Sequence, residues 1–149
     1  IVDPNTIVVL EDGVKKSLKE LTNKKGLILC FLDPDKEPTK HVLQDLPAVE
    51  EALNTWDGGV LFAIPDDKHT TAFDHTVFGR LPKQALWMTD NNRNLLNTVA
   101  GALQLDFSNN FPLVVYLSTN GGILYSSQGY KIGIGENILK TIELEKKTK

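Results

Sequence analysis

The sequence predicts an α/β fold: a mostly parallel central sheet with helices on both faces and a C-terminal antiparallel hairpin. Three observations carry this. Residues 27–32 and 60–64 are apolar runs without alternation, the pattern of strands buried on both faces. Amphipathic helical patterns separate the strands, giving the order β-α-β-α-β-α-β-α-β-β-α, which calls for a parallel sheet covered on both sides. Near the C-terminus, Asn120-Gly121-Gly122 lies between two β-rich runs, a strong hairpin signal.

Taken in order, Thr6-Ile7-Val8-Val9-Leu10 reads as the first strand, and Glu11-Asp12-Gly13 as a turn. Ser17 and Glu20 stand at capping-box spacing and predict a short helix. Lys24-Lys25-Gly26 is expected to close it, with a terminal glycine and two cations at the negative end of the dipole. Residues 27–32 form the next strand. Pro38 suits the first turn of a long helix, in which Val42, Leu46, Val49, Leu53 and Trp56 make one apolar stripe. Pro47 inside that stripe predicts a kink.

Val60-Leu61-Phe62-Ala63-Ile64 is a further buried strand, stopped by Pro65. A helix carrying Phe73, Val77 and Phe78 follows Asp66-Asp67, and Ala85-Leu86-Trp87-Met88 is the next strand. Residues Asp90 to Asn92 cap a helix whose Leu95, Leu96, Val99 and Leu103 share a face. Phe111-Pro112 introduces residues 113–117, the hairpin returns through residues 123–127, and a last helix carries Ile138, Leu139 and Ile142.

The chain of 149 residues suits one domain. It begins Ile1-Val2-Asp3-Pro4 without Met, so residues 1–149 are expected to be a domain excised from a longer protein. At 41% hydrophobic and 23% charged it reads as a globular protein. A net charge of −3 offers no electrostatic reason for nucleic acid or an anionic membrane surface. No apolar run is long enough to span a bilayer. One cysteine, Cys30, excludes an internal disulfide and a Cys-x-x-Cys pair.

The candidate site is the stretch Asp33-Pro34-Asp35-Lys36-Glu37-Pro38-Thr39-Lys40-His41, at the exit of a buried strand and the start of a helix. Ligands in open α/β sheets sit outside the carboxyl ends of the strands. Glu37, His41 and Asp45 recur every four residues along one helix edge, a spacing that allows metal binding or proton transfer. Capping and an i, i+4 pair account for the same residues without any ligand. A zinc site would need a further ligand from elsewhere, so no metal is assigned. Cys30, in mid-strand between Leu29 and Phe31, is expected to be buried and inert. No catalytic residue and no cofactor are assigned.

The element order, the kinking Pro47 and the proline before the hairpin strand resemble the thioredoxin-like fold, in its exported reductase and peroxiredoxin-related branch. That resemblance implies a redox Cys-x-x-Cys at the start of the long helix, facing a cis-proline loop matched here by Asn110-Phe111-Pro112. The corresponding cysteine positions fall near Thr39 and Val42, and neither is a thiol. Two stretches, Glu37-Pro38-Thr39-Lys40-His41 with Asp45 and residues 127–136, look like the C-terminal domain of bacterial transglutaminase-superfamily (cysteine-protease-like) proteins. That likeness implies a periplasmic or cell-envelope location and an upstream catalytic domain.

The expectation is therefore a redox-inactive thioredoxin-like accessory domain that docks its upstream domain or a protein or peptide partner. Its binding candidates are Glu37, Thr39, His41, Asp45, Phe111, Pro112, Gln128 and Tyr130. The alternative is a small-ligand or metal-binding domain using the Glu37/His41/Asp45 edge. A thiol enzyme acting through Cys30 is the third possibility, disfavoured by its mid-strand position.

Overall fold

The computed structural model describes residues 2–10, 13–22, 25–32, 56, 58–65, 85–90, 93–104, 113–128, 140 and 142. The helices expected after Pro38 and after Asp66 lie outside these residues, apart from Trp56. Lys140 and Ile142, in the last expected helix, are helical.

The described strands are β1 (Ile7–Val9), β2 (Lys15–Ser17), β3 (Leu27–Phe31), β4 (Gly59–Pro65), β5 (Ala85–Asp90), β6 (Leu113–Leu117) and β7 (Ile123–Gln128). Among the described residues the helices α1 (Leu18–Leu21) and α2 (Asn94–Leu103) accompany them. Five strands form one sheet in the order β5-β4-β3-β6-β7. β3 pairs in parallel with β4, and β4 with β5, while β6 runs antiparallel to both β3 and β7. The sheet is thus mixed, with its parallel half on one side of β3 and the expected antiparallel hairpin on the other.

β3 is central because nothing in it is polar. Every residue from Leu27 to Phe31 is buried, as the unbroken apolar run requires. Strand parity divides these side chains between two cores. On one face Leu27, Leu29 and Phe31 pack with Leu61, Met88, Val115 and Leu117 under α1, α2 and the N-terminal residues Val2, Val8 and Leu10. On the other face Ile28, Cys30 and Leu32 pack with Trp56, Val60, Phe62, Trp87, Val114, Tyr116 and Ile142. Phe62 stacks on Trp87 with ring centroids 4.6 Å apart.

Ser17 and Glu20 close the expected capping box. The Glu20 amide donates to Ser17 Oγ at 3.1 Å, and the Ser17 amide donates to Glu20 Oε1 at 3.1 Å. The Ser17 amide, joined by Ser17 Oγ donating to the same carboxylate oxygen at 3.2 Å, holds the Glu20 carboxyl below its ordinary value. The helix ends earlier than expected, at Leu21 with Thr22 as its cap, because Thr22 Oγ1 donates to the Lys19 carbonyl and the Lys25 and Gly26 amides donate to the Thr22 carbonyl. Gly26 serves another purpose: it has φ +146°, and a Cβ there would lie 2.8 Å from the Leu117 carbonyl oxygen.

β2 is an element the residue pattern did not announce. It pairs antiparallel with β1, making a separate two-stranded sheet that touches the main one where Leu10 bridges Met88 on the β5 edge. The N-terminal segment is tied at the opposite side of the molecule, where the Val2 amide donates to the Gly121 carbonyl in the β6–β7 turn.

Candidate functional site

The strand register gathers the ends of three chain segments at one pole of the sheet. Phe31 pairs with Leu113, and Leu113 pairs with Gln128. Neighbouring strands lie about 4.8 Å apart, so this row spans about 10 Å. Leu32 leads to the Glu37–Asp45 region, Leu113 follows Phe111-Pro112, and Gln128 precedes Tyr130. The carboxyl ends of the parallel strands β3 and β4 lie at this pole, where open α/β sheets bind ligands. Gln128, half-buried at the end of β7, is the one candidate binding residue placed directly. Glu37, Thr39, His41, Asp45, Phe111, Pro112 and Tyr130 lie outside the described residues. Among the described residues no group of three metal-binding side chains occurs.

Cys30 lies one position before this row and faces the core that holds Trp56 and Tyr116. A second row crosses the sheet at its level: Trp87, Phe62, Cys30, Val114 and Ser127. All five side chains are buried. Burial pushes the Cys30 thiol up to about 12, because an apolar surround gives the thiolate no solvation. A reactive cysteine requires the reverse, partial exposure and a positive environment. The expected burial of Cys30 is thus observed, and its thiol is protonated at neutral pH.

Ser127, at the far end of that row, has a buried Oγ without a hydrogen-bond partner among the described residues. Its burial was not foreseen from its place at the head of the 127–136 stretch, since serine is common at the partly exposed positions of an edge strand. Asp90 was legible as a cap, but its geometry exceeds a single capping bond. Its Oδ1 accepts from the Leu95 amide and its Oδ2 from the Leu96 amide, each at 2.9 Å. A buried carboxylate at the end of β5 thereby satisfies two donors at the start of α2 and suits the positive end of the helix.

No protein-family model matches the chain, and no curated protein does. Solved structures do. The exposed lipoprotein thioredoxin Etrx1 of Streptococcus pneumoniae TIGR4 superposes with a TM-score of 0.66 at 17% identity, over 93% of this chain and 98% of that one. A secreted Mycobacterium tuberculosis disulfide oxidoreductase homologous to E. coli DsbE gives 0.63 at 11% identity, over 94% and 96%. The bacterioferritin comigratory protein of Xanthomonas campestris, an alkyl peroxide reductase, gives 0.69 at 14% identity, over 95% and 92%.

These neighbours overturn one expectation from the sequence. A redox-inactive accessory domain of a transglutaminase-like protein does not fit a set of thioredoxin, disulfide oxidoreductase and peroxide reductase. The transglutaminase likeness rested on two short stretches, residues 37–45 and 127–136, whereas the superpositions run over nearly the whole chain. The redox-inactive reading took the residues at positions 39 and 42 as deciding the function of the entire fold. What the sheet order and these likenesses establish together is that the chain has a thioredoxin-like α/β fold.

Proposed function

We propose that the chain takes part in thiol-based redox chemistry outside the cytoplasm, as a single thioredoxin-like domain acting on a cysteine-bearing protein, a peptide or a peroxide. The observation that carries this reading is the likeness, over more than nine-tenths of the chain, to an exposed thioredoxin, a secreted disulfide oxidoreductase and a peroxide reductase. Among the described residues no helix is long and apolar enough to cross a membrane. The pole where Leu32, Leu113 and Gln128 converge is the surface we assign to the partner. Glu37, Thr39, His41, Asp45, Phe111, Pro112 and Tyr130 are the binding candidates carried by its adjoining segments.

Sulfur stoichiometry bounds the chemistry. The chain holds one cysteine, so it cannot complete a dithiol–disulfide cycle by itself. One thiol attacking a disulfide stops at a mixed disulfide and releases one thiol; a second thiol, from outside the chain, resolves it. One thiol reducing a hydroperoxide gives a sulfenic acid and an alcohol. Two outside thiols then restore it, leaving as a disulfide and water. In both cases part of the sulfur belongs to the partner or to a small thiol.

The test is turnover of insulin disulfides and of an alkyl hydroperoxide, each with a reducing thiol present, for wild type and Cys30→Ser. Rates above the protein-free background with either substrate are expected. Background rates with both would overturn the proposal. Comparison with Cys30→Ser then assigns the reacting sulfur to this chain or to its partner.

A further inference from the structure

We draw no further inference here: the strongest candidate, the cleft of about 220 Å³ between β1, the end of β5 and the start of α2, is a helix N-terminus whose buried carboxylate, Asp90, already accepts from the Leu95 and Leu96 amides, so nothing in it points to a ligand.

Discussion

At pH 8 an ordinary thiol with a pKa of 9.0 is about one-tenth ionised, whereas Cys30, at about 12, is ionised in about one molecule in 10⁴. Because the thiolate is the nucleophile, ionisation alone cuts the reactive fraction of native Cys30 by about 10³ relative to a free cysteine, and the greater nucleophilicity of a more basic thiolate restores only about 10- to 30-fold of that with a disulfide reagent. Burial against Phe62 and Val114 should slow the reaction further. The same perturbation has a thermodynamic face. Below pH 9 the thiol is protonated in both folded and unfolded chains and makes no difference to stability. Above it the unfolded chain releases the proton that the folded chain keeps. Stability therefore falls as pH rises from 9.0 towards about 12, by about 1.36 kcal/mol per pH unit and about 4 kcal/mol in all. Cys30→Ala removes this contribution, so the difference between wild type and variant isolates it from other alkaline titrations. Urea unfolding at pH 8 and pH 10 should show wild type losing about 1 to 2 kcal/mol more than the variant. Equal losses, or a free-thiol reaction rate in native conditions, would refute the reasoning.

Four further outcomes follow from local geometry. Asp90→Ala leaves the Leu95 and Leu96 amides without their acceptors and should cost about 2–4 kcal/mol in urea unfolding. Ser17→Ala, which opens an exposed capping box, should cost only about 0.5–1 kcal/mol, and the reverse order would undo the assignment. Gly26→Ala combines an unfavourable φ with a close approach to the Leu117 carbonyl, and a thermal melt should show a loss of about 2–3 kcal/mol. Gln104→Gly relieves a left-handed residue (φ 56°) at the end of α2 and should raise stability by about 0.5–1 kcal/mol; a decrease would mean that the side chain contributes more than its backbone strain costs.

Legibility in the sequence followed the physics of each element. β3 was plain because a strand buried on both faces has no room for a polar residue, so Leu27 to Phe31 read as one run. The capping box was plain because its two side chains act only through local spacing. The hairpin was plain because Gly121 takes φ 87° in the turn. β2 was not, since Lys15-Lys16-Ser17 carries no apolar alternation and becomes a strand only by folding back onto β1. The irregularity between Tyr116 and Leu117, which leaves Leu124 between the pairings of Tyr125 and Ile123, depends on a partner strand and has no mark of its own. As for the candidate site, strand order places the pole where its segments converge, and of its eight candidate residues Gln128 alone lies within the described residues. Its chemistry was not legible, because one fold hosts many functions and the short motifs at the pole fit capping and pairing as well as ligand binding.

The position of Cys30 turns the redox proposal into a kinetic question. Cys30 points into one of the two cores, among Trp56, Phe62, Tyr116 and Ile142, so the thiol is reached only when the packing over that face of the sheet opens. Reaching the thiol means opening that one core, a local or sub-global event. Any turnover through Cys30 is then limited by that opening. Turnover through sulfurs that a partner brings to the pole has no such limit. A wild-type rate that exceeds the measured opening rate, and that Cys30→Ser retains, would place the reacting sulfurs on the partner. A rate that tracks that opening across urea concentrations, and that vanishes in Cys30→Ser, would place one of them in the middle of the sheet.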